Sequence, residues 1–250
     1  RGTKYRAKDI PRKDAECFSL ESKKIIKQVQ RPLYEREPIA YVDSFFEAYI
    51  PNETFYIPSS TRAELHKTGK RVKSEDPAGT YAHQIFTRLL IDLSYNSSRL
   101  EGNTYSLLDT KRLLLQGKDA YGKLDEEKVM ILNHKEAIRY LVDTAPKLEV
   151  STHTIYTLHS LLSDGLVEAC YSGKVRDHGV HIGGSVYIPF EDPRMLKAQL
   201  EEITGKAALI KDPYEQSLFL LVYVSYLQGF SDVNKRTARL AANISLIKNN

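Results

Sequence analysis

The 250-residue chain is poor in cysteine: only Cys17 and Cys170, far apart, which gives neither a disulfide framework nor a zinc pattern and fits a reducing cytoplasm. It has no apolar run of about 18 residues and no legible secretory signal, so no segment reads as a membrane-spanning helix. Internal repeats and low-complexity tracts are also missing, and a repeat array is not expected. Charge of one sign is scarce as well. Lys and Arg total 36 against 32 acidic residues, a net +4 that requires neither a nucleic-acid nor a membrane partner.

What is present is 42% hydrophobic residues, enough to bury the core of one domain with a smaller appendage. The chain begins at Arg1 without methionine and stops soon after a basic segment, so the expectation is an ordered fragment of something longer, with a further C-terminal region.

The most informative stretch runs from Leu218 to Ile247. An apolar segment, LFLLVYVSYL, meets a polar loop, QGFSDVN, and then a basic segment, KRTARLAANISLI. Asp212, Pro213 and Glu215 predict a helix start with a capping box, and Gly229 predicts the stop. That helix is apolar all round and is expected to be buried. A second helix is expected from Val233 to Lys235 onward, capped by Asp232, with Leu240, Ala241, Ile244 and Ile247 inward. Its first turn would present unpaired N–H groups, Arg236 and Arg239 to one volume, beside Asn234 and Lys235. Such a place suits polyphosphate, and Asp232 at its rim suits one side of a hydrated Mg²⁺. An ordinary capped helix with solvated basic residues has the same spacing.

Further back, Ala82, Ile85, Phe86, Leu89, Leu90 and Leu93 follow one helical stripe, which carries Ser97, Leu100 and Glu101 onto the same face before Gly102-Asn103 ends it. A carboxylate on that face needs a cationic or multi-donor partner.

The loop QGFSDVNKRTAR, residues 228–239, resembles the signature of the Fic family, HPFx(D/E)GN(G/K)RxxR. Phe230, Asp232, Asn234, Lys235, Arg236 and Arg239 match it. Gln228, Gly229 and Val233 stand where the pattern has histidine, proline and glycine. Ser97 to Gly102, SSRLEG, resembles the family's inhibitory motif (S/T)xxxE(G/N), about 130 residues upstream. The resemblance implies that Glu101, with Ser97 and Gly102 in the motif, pairs with Arg239 and obstructs the γ-phosphate position.

Between the motifs, helices are expected from Ser106 to Gly117, from Asp125 to Val142 with Met130, His134, Ala137, Ile138 and Leu141 on one face, and after Ser151 with Ile155, Leu158, His159 and Leu162 aligned. His134 and His159 read as hydrogen-bonded core residues. Val180, Ile182, Val186 and Ile188 alternate around Gly183-Gly184 and predict a β-hairpin. Gly184, Ser185, Val186, Tyr187 and Ile188 resemble the family's target-docking flap, with Phe190 where a second proline is common. Asp192-Pro193 opens a helix with Leu196, Leu200, Ile203, Ala207 and Ile210 inward.

Residues 1–75 carry charged stretches around an aromatic region, AYVDSFFEAYIPNETFYIP, whose Pro and Asn suggest extended segments and turns. They read as an N-terminal arm packed on the core. The basic run Lys67 to Lys73 reads as a solvated loop.

The expected fold is therefore mainly α, a Fic-like helical bundle with a small β-hairpin flap. An arm over residues 1–75 precedes a Fic domain over 76–250. Within that domain the inhibitory helix is expected over about 80–102, the flap over about 180–190, and the signature loop and helix over 228–247. The resemblance implies transfer of AMP from ATP, with Mg²⁺ at Asp232, to a Ser, Thr or Tyr hydroxyl of a target protein docked on the flap. No membrane is implied. Nucleic acid would enter only through a segment outside this chain, and a homodimer is left open. Gln228 occupies the base position, and a carboxamide takes no proton at neutral pH. Three readings follow: transfer with another base, such as His178 or His181; a non-catalytic nucleotide- or partner-binding regulator; or another phosphate-transfer or deAMPylating activity, since Doc-type relatives also carry a non-glycine residue at the Val233 position. Both flap histidines also read as solvated hairpin residues.

Overall fold

A computed structural model describes residues 18–69 and 79–249. Several of its helices begin where polar side chains satisfy first-turn amides. Ser106 Oγ accepts from Asp109 N to start α6 (Leu107–Gln116), and Ser151 Oγ accepts from Thr154 N to start α8 (Thr152–Ser163). Asp192 and Asp212, each followed by proline at the first position, start α9 (Pro193–Leu209) and α10 (Pro213–Leu227). Between α6 and α8 lies α7 (Asp125–Asp143), one residue longer than expected.

Helix α10 is the centre. It packs on α9, on α11 (Asn234–Ala241) and on α12 (Asn243–Lys248), while α11 also packs on α8 and α8 on α7. Phe219, Leu220, Tyr223, Val224 and Leu227 of α10 are buried, with Leu240, Ala241, Ile244 and Ile247 behind them. At about 25 cal/mol per Å², such side chains contribute about 1.5–3 kcal/mol each, which explains why the apolar run sits at the middle. No helix among the described residues is long and apolar enough to cross a membrane.

The arm departs from expectation. It forms α1 (Leu20–Val29), α2 (Asp43–Glu47) and α3 (Ser59–Gly69), with only a two-residue extended element, β1 (Ile39–Ala40). Tyr41, Phe46 and Tyr49 are buried, and the rings of Phe46 and Tyr49 pack tilted against Phe219. Glu215, fully buried, does not complete a capping box. Its carboxylate accepts from Tyr56 N at 2.7 Å, Ile57 N at 3.0 Å and Tyr49 Oη at 3.3 Å, and so clasps the arm to α10. Of the basic run, Lys67 lies in the last turn of α3, and residues 70–73 lie outside the described residues, as does Cys17.

The expected helix over 80–102 is divided. Ile85 leaves helical backbone at φ −101°, ψ 11°, separating α4 (Thr80–Gln84) from α5 (Phe86–Leu100). Ala82, Leu90 and Ser97 are buried, but Leu100 faces solvent, because the stripe has rotated off the core by the last turn of α5.

The expected hairpin is only partly realised. The glycine turn forms, with Ser185 N donating to Ile182 O at 3.1 Å and Gly184 at φ 78°. The strand after it, β2 (Tyr187–Ile188), pairs in parallel with β1 and not with residues 180–182. The arm outcompetes the local partner because Tyr41 and Val42 dock beside it: Val42 N donates to Tyr226 Oη, and Tyr41 stacks on Tyr226 and Phe190.

Candidate functional site

The chain reverses between α10 and α11 through two left-handed residues, neither of them glycine. Gln228 (φ 51°) ends α10 where Gly229 was expected to do so, and Val233 (φ 63°) precedes α11 where Asp232 was expected to cap it. A β-branched residue in that region is strained, and Val233 tolerates it while almost fully buried. Asp232 Oδ1 instead accepts from Val233 N at 2.6 Å.

Side chains hold this loop from inside. Asn234 takes Phe230 N onto its Oδ1 at 2.9 Å and donates to Phe230 O at 2.8 Å, so its carboxamide closes the loop and is not free for phosphate. Phe230 is buried and stacks on the His159 ring, the centroids 3.9 Å apart. Gly173 N donates to His159 Nδ1, leaving Nε2–H to donate to Asp232 O at 3.2 Å. Burial pushes the His159 pKa down to about 4, so the ring is neutral and structural.

Arg176, which no sequence pattern singled out, is fully buried. Its Nε donates to Gln228 O at 2.8 Å, its Nη1 to His178 O at 2.5 Å and its Nη2 to Phe190 O, while its backbone N donates to Gly229 O at 3.0 Å. One guanidinium thus ties both ends of the 178–190 segment to the loop. The available signal was only a lone arginine between a turn and a strand.

A cavity of about 180 Å³ lies between loop and flap, lined by Gln228, Ser231 to Arg236, Val180 to Gly183, and Glu101. Gly184 to Ile188 lie outside the lining, and Tyr187 is turned away to donate to Tyr226 O at 2.7 Å. Lys235 is exposed. Arg236, expected at an exposed first turn, is 5% exposed, because the turn is covered by the body of the protein. Its Nη2 donates to Asp232 Oδ2 at 3.3 Å, and its Nη1, also buried, has no hydrogen-bond partner among the described residues. Burial lowers its pKa from the usual arginine value. A buried cation with an unfilled donor is costly, and an anion in the cavity is the natural remedy.

Arg239 is not in the lining. It is held by the upstream motif: Nη2 donates to Glu101 Oε1 at 2.5 Å and to Ser97 O at 3.2 Å, and Nε donates to Ser97 Oγ at 2.9 Å. Ser97 Oγ–H in turn donates to His134 Nε2 at 2.8 Å, and His134 Nδ1–H donates to Met130 O at 2.8 Å. Burial pushes the His134 pKa down to about 4, so the ring is neutral, and the Met130 carbonyl, which can only accept, places its proton on Nδ1. Gly102 (φ 90°) ends the motif. Glu101 therefore reaches the cavity wall with its charge pinned by Arg239.

Residues 149–246 match the model of the Fic/DOC family. Over this stretch the chain is similar to Fic/DOC proteins. The stretch includes the flap and the loop, whereas Ser97 and Glu101 lie upstream of the match. Among curated proteins the chain is similar to protein adenylyltransferase Fic of Drosophila persimilis, 28% identical over 156 residues, covering 62% of this chain and 30% of that protein. It is similar to the Aedes aegypti protein of the same name at 29% over 160 residues, 62% and 31%. To protein adenylyltransferase fic-1 of Caenorhabditis elegans it is 26% identical over 161 residues, 62% and 31%. The chain thus spans under a third of these relatives' length. Solved structures share the fold: C. elegans Fic-1 (TM-score 0.58, 22% identity, 76% of this chain and 55% of that one) and a Fic domain containing signaling protein from Bacteroides thetaiotaomicron (0.60, 20%, 76% and 72%).

Proposed function

We propose that the cavity binds ATP and that the chain transfers AMP to a Ser, Thr or Tyr hydroxyl of a target protein, restrained by Glu101. The observation that carries this reading is Arg236, a buried guanidinium lining the cavity with Nη1 unpartnered. The first-turn amides of α11 and Lys235 add positive potential at the same wall. The name of the similar proteins, protein adenylyltransferase, supports the choice of AMP.

The 70% exposed Asp232 side chain at the rim suits a largely hydrated Mg²⁺ shared with phosphate oxygens, which would offset triphosphate charge. Glu101 beside Arg236 opposes a terminal phosphate by like charge, and its grip on Arg239 keeps that guanidinium from the ligand. A target segment docking on the flap would find one side of β2 already held by β1.

A second reading, a nucleotide-binding regulator without transfer, is favoured by Gln228. Its Nε2 donates to Ser225 O at 2.6 Å, and a carboxamide there abstracts no proton. The test is incubation of the Glu101→Gly protein with ATP labelled at the α- or the γ-phosphate, Mg²⁺ and cell lysate. Adenylyl transfer predicts protein labelling from the α-label alone. Labelling from the γ-label, or none at either position, would contradict it.

A further inference from the structure

Transfer to a hydroxyl needs a proton acceptor, and this inference rests on the adenylyl-transfer reading above. The side chains lining the cavity that could serve are few. Gln228 is an amide, and Lys235 and Arg236 are cations. Glu101 is held by Arg239 at 2.5 Å, and both Asp232 oxygens are engaged, with Val233 N and with Arg236 Nη2. His134 and His159 are buried with both ring nitrogens engaged. His178 turns its ring to Asp177 Oδ1 at 3.1 Å and packs edge-on to Tyr171, outside the lining.

That leaves His181, exposed on the flap and part of the wall of the cavity that Gln228 also lines. Its position is not left to a loose loop. Arg176 clamps the flap at His178 O and Phe190 O and the loop at Gln228 O, so roof and floor share one anchor. Imidazole is also the side chain whose ordinary titration range lies nearest neutrality.

We propose that His181, from the flap, is the general base that replaces the missing loop histidine. The acceptor hydroxyl oxygen bonds to the α-phosphorus, the bond from that phosphorus to the α–β bridging oxygen breaks, and pyrophosphate leaves. The hydroxyl proton passes to a ring nitrogen of His181 and from there to solvent. The base thus arrives from the side opposite to residue 228, on the segment nearest an incoming protein substrate.

The experiment compares α-labelled ATP transfer to lysate protein by Glu101→Gly, by Glu101→Gly with His181→Gln, and by both of these carrying Gln228→His, with ATP affinity measured calorimetrically on each. The expected result is labelling by Glu101→Gly, a fall of about 10²- to 10⁴-fold on adding His181→Gln with ATP affinity unchanged, and recovery on adding Gln228→His. Equal rates with and without His181 would overturn the assignment, as would a loss of ATP affinity matching the loss of rate. Transfer seen only after Gln228→His would overturn His181 and leave adenylyl transfer standing. Inertness of all four proteins with ATP bound would overturn both.

Discussion

The floor and the roof of the cavity are built on different principles. The floor, residues 228–236, is fixed from within by Asn234 on Phe230, by the His159 ring and by burial of Val233 and Arg236. The roof, residues 178–190, has only Pro189 buried, holds a two-residue strand and depends on partners outside itself: Arg176 at both ends and the distant β1 along one side. The proposed binding groups thus sit on the internally fixed floor, and the proposed proton acceptor sits on the more exposed roof. Rigidity at the floor suits phosphate positioning, because little ordering is left for the ligand to impose.

Removing the shared anchor should break this contrast most severely. Arg176→Met leaves the carbonyls of Gln228, His178 and Phe190 without their donor. Unpaired buried groups cost about 1–3 kcal/mol each, so a total loss of about 3–5 kcal/mol is expected after partial resolvation. At about 2–4 °C per kcal/mol for a chain of this size, the melting temperature should fall by about 10 °C or more. A shift under 3 °C would show that floor and roof are held independently.

Protonation should loosen the floor next. His134 and His159 titrate at about 4 when folded and near 6.5 when unfolded. Between those values the unfolded chain binds protons that the folded chain refuses, so stability is full above about pH 6.5 and is lost as pH falls toward 4. The loss should be about 2 kcal/mol per histidine between pH 7 and pH 5. Urea unfolding at the two pH values would measure it, and equal midpoints would contradict the neutral, buried rings.

The smallest effect is expected at Val233. Glycine would relieve a left-handed strain of roughly 1–2 kcal/mol and forfeit a buried side chain of similar worth. Val233→Gly should therefore change stability by less than about 1 kcal/mol in denaturant titration. A loss above 3 kcal/mol would show that the valine is not strained.

The same contrast explains what the sequence revealed. Phe230, Asp232, Asn234, Arg236 and Arg239 were legible because the floor is one contiguous string, and the caps at Asp212, Asp192, Ser151 and Ser106 were legible because capping is local. Glu101 was found from its stripe and its motif, although the stripe misplaced Leu100. Arg176, the β1–β2 pairing and the clasp at Glu215 were not legible, because each depends on contacts between residues 14 to 166 positions apart with no period to mark them. Glycine logic failed at the loop: Gln228 and Val233 took the left-handed positions because tertiary packing overrode local preference.

The central claim is that the cavity is an anion site completed by Arg236 and obstructed by Glu101. Calorimetric titration of ATP with Mg²⁺ into wild type, Glu101→Gly, and Glu101→Gly with Arg236→Met tests it most directly. The account predicts that removing Glu101 tightens binding by about tenfold or more, and that removing Arg236 from that variant weakens it by about 10- to 100-fold, the range for a charge-assisted contact. Equal affinities across the three proteins, with all three folded, would contradict it.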